Sequence, residues 1–164
     1  MTGQLSTMRD RLATRRKMRP GPEHVVALAS GRGGVGVSLL AATMAVRSAQ
    51  AGMRTLLIDA DSWLDVHRVW FGLDRGPTLS DLRSGADPEA LVQPIHGCLE
   101  LVSFASPDLS ATEVRALARR IPPMFAQRDV VVIDAGSRLE AVDRSLDLSV
   151  GSILAVSGVD AIDL

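Results

Sequence analysis

The segment Ser30-Gly31-Arg32-Gly33-Gly34-Val35-Gly36-Val37-Ser38 places four glycines in six residues just ahead of a serine. Glycine lets backbone amides approach an anion closely and reaches φ values that other residues avoid, so this spacing suits phosphate binding. Two readings of the loop compete. Gly31, Gly33 and Gly36 satisfy G-x-G-x-x-G, and Asp59 follows 23 residues after Gly36, near the spacing of the ribose-binding acid in a dinucleotide (NAD) fold. Gly31 and Gly36 also frame G-x-x-x-x-G-K-[ST], with Ser38 as the magnesium-binding hydroxyl but Val37 where that motif has lysine. Three carboxylates, Asp59, Asp61 and Asp134, lie at or just past the ends of apolar runs. His24, His67 and His96 show no metal-ligand spacing and read as surface or satisfied core histidines.

The loop needs a strand before it and a helix after it, and the sequence supplies both. His24 to Ala29 is a short apolar run suited to a strand buried on both faces, and residues 38 to 51 are good helix formers closed by Gly52. Similar runs at 55–59, 99–102, 130–134 and 152–156 predict four more strands. Helical stretches separate most of them; residues 110 to 120 open with a Ser110/Glu113 capping-box pattern, and 138 to 148 give a weaker helical pattern. Strands alternating with helices predict an α/β fold with a parallel sheet covered on both faces.

The 164 residues suit one domain. Net charge is −1, which gives no global pull toward nucleic acid. Three Phe, two Trp and no Tyr leave little for base stacking, so sequence-specific nucleic-acid binding is not expected. The charge is segregated, however. Arg9, Arg11, Arg15, Arg16, Lys17 and Arg19 face only Asp10 in the first twenty residues, and Pro20-Gly21-Pro22 follows as a linker. We therefore divide the chain into a basic arm, 1–22, and a domain, 23–164. Cys98 is the single cysteine, no apolar leader segment follows the basic residues, and no stretch reaches membrane-spanning length. A cytoplasmic protein, peripheral at the membrane or cell pole at most, is expected.

With three motifs in order, the sequence resembles the MinD/ParA family of deviant Walker A ATPases, whose loop runs K-G-G-x-G-K-[ST]. Arg32 falls on the signature lysine, Val37 on the phosphate-binding lysine and Ser38 on the magnesium-binding hydroxyl. Asp59-Ala60-Asp61 matches the family's D-x-D, and Val132 to Gly136 matches its Walker B segment. Within the family, residues 59–73 are most similar to the flagellar-number regulators FlhG/FleN, and Gln4, Met8 and Arg9 match part of the N-terminal helix with which those proteins engage the GTPase FlhF.

The resemblance implies a three-layer P-loop fold with a mainly parallel sheet, shortened at its C-terminal end. It implies ATP or ADP with Mg2+ held by Gly31, Arg32, Gly33, Gly34, Val35, Gly36, Val37, Ser38 and Asp59, with Ser38 and Asp134 on the metal side. Asp61 is implied as the residue orienting water, and a nucleotide-dependent homodimer as the working form. The departures point to weak or lost hydrolysis. Val37 removes the loop cation, Lys17 is the only lysine anywhere, and Trp63, Val66 and Arg68 replace family residues near the γ-phosphate. Arg32 remains as an alternative catalytic cation, since a guanidinium binds phosphate well; a nucleotide-free interaction scaffold is the further alternative.

Overall fold

In a computed structural model, which describes residues 24–60, 64–137 and 152–157, the strands form one six-stranded sheet. Its elements are β1 (Val25–Ala29), β2 (Thr55–Asp59), β3 (Gln93–His96), β4 (Leu99–Ser103), β5 (Val130–Asp134) and β6 (Ser152–Ala155), in the spatial order β3-β4-β2-β5-β1-β6. All neighbours run parallel except the β3–β4 pair. Three α-helices, α1 (Val37–Gln50), α2 (Val66–Trp70) and α3 (Ala111–Ala118), and three short 3-10 helices make up the other described elements.

Side chains alternate across each strand, which divides the interior into two layers. Val25 and Ala27, Leu56 and Ile58, and Val131 and Ile133 pack on one face with Leu79, Leu82, Phe104, Val114, Ala118 and Ile121. Leu28, Leu57 and Val132 turn to the other face and meet Val37, Ala41 and Ala45 of α1. Strands apolar on both sides are what a covered parallel sheet requires. The expected three-layer α/β arrangement is present, and the Ser110/Glu113 capping box forms as read, with the Glu113 amide donating to Ser110 Oγ at 3.3 Å and the Ser110 amide to Glu113 Oε2 at 2.9 Å.

Two features depart from the sequence reading. Strand β3 was not expected; it is an antiparallel edge strand, joined to β4 through Gly97-Cys98 with Gly97 at φ 58°. Pro94 masks it in the sequence, yet a proline sits acceptably on a sheet edge and the ladder shifts register beside it. Second, the long passage from α2 to β3, to which the sequence reading assigns no element, holds 3-10 helices at Leu79–Ser84 and Pro88–Leu91. The basic arm, Asp61, Trp63 and the helix expected at 138–148 lie outside the described residues.

Candidate nucleotide-binding site

Strands β1, β2 and β5 end at one edge of the sheet, and the glycine loop leaves β1 there. Asp59 pairs in register with Asp134 across β2 and β5, while Leu28 pairs with Asp134 across β1 and β5. The loop is tied to the exit of β5 by the Ser30 amide, which donates to the Gly136 carbonyl at 3.0 Å. Ser30 Oγ closes the turn by donating to the Arg32 carbonyl at 2.6 Å.

Only two loop glycines are demanded by backbone geometry. Gly34 and Gly36 have φ of 83° and 89°, in the left-handed region. A Cβ would fit at Gly31 and Gly33, so there the glycine keeps the loop open to an approaching ligand. Gly36 also precedes the first turn of α1, where no side chain caps the amides and no acidic residue stands. An uncapped helix start behind a glycine loop is an anion site. Arg32 lies exposed on this loop.

Val37 does not face that site. Its side chain is 5% exposed and packs in the layer with Leu28, Ala41, Leu57 and Val132. The loop therefore presents amides and Ser38 but no ammonium. Ser38 hydrogen-bonds Asp134, whose other contacts are the Gly136 amide at 2.9 Å and His67 Nε2 at 2.8 Å. Burial alone would raise the Asp134 carboxyl, but hydrogen bonds from His67, Ser38 and Gly136 outweigh it and hold the group below the ordinary carboxylate range. Ser38 and an ionised Asp134 fit the oxygen chemistry of Mg2+, which when bound would neutralise phosphate charge.

His67 corrects the sequence reading. It is neither a surface residue nor a satisfied core residue: it is fully buried, its amide donates to Asp59 Oδ2 at 3.4 Å, and Nδ1 has no hydrogen-bond partner among the described residues. The ring packs edge-on to Trp70 at 5.6 Å and stacks on Phe71 at 6.4 Å. No spacing rule finds it, because its carboxylate partner is 67 residues away. Arg68 is likewise buried and anchors α2. It donates to Asp65 at 2.5 Å, to Gln93 Oε1 at 2.9 Å and to the Pro77 carbonyl at 2.8 Å. Gln93 in turn lies so close to Gly76 that a Cβ there would meet its Nε2 at 2.0 Å.

The parallel α/β fold with a glycine loop leaving β1 agrees with the comparisons. No family model matches the sequence. The kinase domain of the Escherichia coli tyrosine kinase ETK superposes with a TM-score of 0.69 at 20% identity, covering 93% of this chain and 63% of that one. The Pyrococcus furiosus cell-division ATPase MinD gives 0.68 at 20% identity, over 82% and 59%. MinD of Pyrococcus horikoshii, complexed with Mg-ADP, gives 0.68 at 19%, over 82% and 57%. The chain thus has the MinD/ParA-type P-loop fold. Among curated proteins, it is 30% identical over 155 residues to the putative tyrosine-protein kinase EpsB of Ralstonia nicotianae, and 45% identical over 58 residues to an iron-sulfur cluster carrier protein of Aquifex aeolicus. These matches cover 90% and 35% of this chain, which spans 20% and 16% of the respective relatives. None of the described helices is long and apolar enough to cross a membrane.

Proposed function

We propose that the domain binds ATP or ADP at Gly31–Ser38 and works as a nucleotide-responsive regulator with weak or lost hydrolysis. The observation that carries this reading is the combination of an open amide loop with Val37 packed into the core in place of a phosphate-binding lysine. Phosphoryl transfer depends on cations placed at the β- and γ-phosphates, and the loop retains only Arg32. In this reading Ser38 and Asp134 hold Mg2+ brought with the nucleotide, and Asp61 takes the water-orienting role that the resemblance implies. The basic arm, 1–22, supplies contacts to a protein partner, a GTPase of the FlhF kind by the likeness of its first residues. The regulated process is then flagellar number or placement, or another polar positioning event. Exposed Leu39, Leu64, Val69 and Trp70, on or beside α1 and α2, support a nucleotide-dependent homodimer.

Titration of the purified chain with labelled ATP, ADP and NAD tests binding, and phosphate release with Mg2+ tests turnover. ATP binding with negligible release is expected. Turnover that Asp61→Ala abolishes would overturn the loss of hydrolysis and make Arg32 the catalytic cation. Binding of NAD alone would restore the dinucleotide reading. Deleting residues 1–19 should leave thermal stability unchanged while weakening partner binding.

The likeness to EpsB across 90% of the chain favours a second reading, a phosphoryl-transferring domain. Residues 1–164 contain no tyrosine, so any tyrosine acceptor would lie outside them. Transfer of label from γ-labelled ATP to a tyrosine copolymer would establish it.

A further inference from the structure

Asp134 ends β5 with both carboxylate oxygens engaged. Oδ1 accepts from the Gly136 amide at 2.9 Å, Oδ2 meets His67 Nε2 at 2.8 Å, and Ser38 is a further partner. Gly136 lies just past β5 and Ser38 in the first turn of α1, so these two donors come with the sheet edge and the loop. His67 does not. It stands on α2, which Arg68 ties to Asp65, Gln93 and the Pro77 carbonyl. An ionised carboxylate only accepts, so Nε2 carries the hydrogen of its contact with Asp134. Nδ1 is then left buried without a partner among the described residues. A phenyl ring would fill the space beside Trp70 and Phe71 with no orphaned nitrogen. What the imidazole adds is the Nε2 donor, and Asp134 receives it.

We propose that His67 is a positioning residue for the metal side of the nucleotide site, holding the Asp134 carboxylate in the orientation that Mg2+ bound with a nucleoside diphosphate requires. The proposal rests on the nucleotide reading above and deepens it. A carboxylate held at one oxygen turns about its Cβ–Cγ bond, and a donor at the other oxygen stops that rotation. Its two oxygens offer about four lone-pair sites, so three donors leave one for a metal ion or a metal-bound water. Groups that orient a ligating side chain in this way typically contribute about 10- to 100-fold to metal affinity. Because His67 acts through Asp134, its effect falls on the Mg2+-dependent part of nucleotide affinity. Nucleotide held by the loop amides without metal is unaffected.

The test measures ADP affinity of the full chain by calorimetry, once in millimolar Mg2+ and once in EDTA. His67→Phe keeps a ring in the core and removes the donor. It should lose about tenfold or more in Mg2+ and nothing in EDTA, and His67→Gln, whose amide donates, should recover most of the loss. A merely structural residue would lower both affinities together and would not separate Gln from Phe. A second measurement leaves His67 in place and so does not depend on the folding of either variant. H24Q/H96Q makes His67 the only imidazole, and its 15N spectrum should show a protonated Nε2 whose resonance moves when Mg2+ joins the ADP complex. Unaltered Mg2+ dependence in folded His67→Phe, equal losses in both buffers, a ring protonated at Nδ1 alone, or an Nε2 resonance that Mg2+ leaves in place would each overturn the proposal while the nucleotide reading stands. A wild-type chain that binds no ADP in either buffer would overturn both.

Discussion

Replacing Val37 with lysine probes whether the loop has kept a phosphate site. In this fold the residue begins α1, directly after the left-handed Gly36, and its valine side chain is buried among Leu28, Ala41, Leu57 and Val132. Removing that side chain from the core costs about 1.5–3 kcal/mol if nothing replaces it. A lysine stem recovers part of this by packing its methylenes while the ammonium reaches the loop. The expected net loss of stability without ligand is about 1–2 kcal/mol. With ATP, one charge-assisted hydrogen bond to phosphate contributes on the order of 1.5–3 kcal/mol, which is about 10- to 150-fold in affinity. Calorimetry with a non-hydrolysable ATP analogue, run beside thermal melts, separates the two effects: a lower melting temperature alone and a larger ligand-induced rise than wild type. A folded variant that binds the analogue no more tightly than wild type would refute the reasoning, and would mean that the amide cradle no longer holds nucleotide.

Gly36→Ala places a Cβ at φ 89° and should destabilise by about 1–2 kcal/mol, read by urea denaturation, whereas the same change at Gly31, where nothing lies within 4 Å of a Cβ, should leave stability nearly unaltered. Glu113, which accepts from Ser110 and pairs with Arg83, has its carboxyl lowered to about 2. Its contribution to stability is therefore complete above its unfolded value near 4.5 and is lost as pH falls toward 2; carboxyl NMR should show the low titration point, and Ser110→Ala should move it upward. Arg128 is buried between Glu89, at 2.6 and 2.9 Å, and Glu100, at 2.9 Å. Arg128→Ala should cost about 2–3 kcal/mol in chemical denaturation, less than a wholly buried pair because both carboxylates keep some solvent.

Local pattern was enough to determine the strand, loop and helix around Gly31–Ser38, the capping box at Ser110, and the apolar runs of five of the six strands. These signals are short in range: a glycine run, a cap three residues from its partner and five consecutive apolar side chains each act through immediate neighbours. Strand β3 escaped because its meaning depends on lying at the sheet edge, where Pro94 needs no ladder partner. Val37 could be read as a missing cation, but that its side chain joins the core rather than facing the loop is a fact of packing. His67 shows the limit most clearly. Nothing in the residues around it marks a site, because its neighbours are made by the parallel pairing of β2 with β5, which sets Asp59 beside Asp134, and by α2 folding back over that edge. Contacts between groups 8 and 67 residues apart exist only once the sheet has chosen its strand order, and that choice is made by burying both faces together rather than by any one segment.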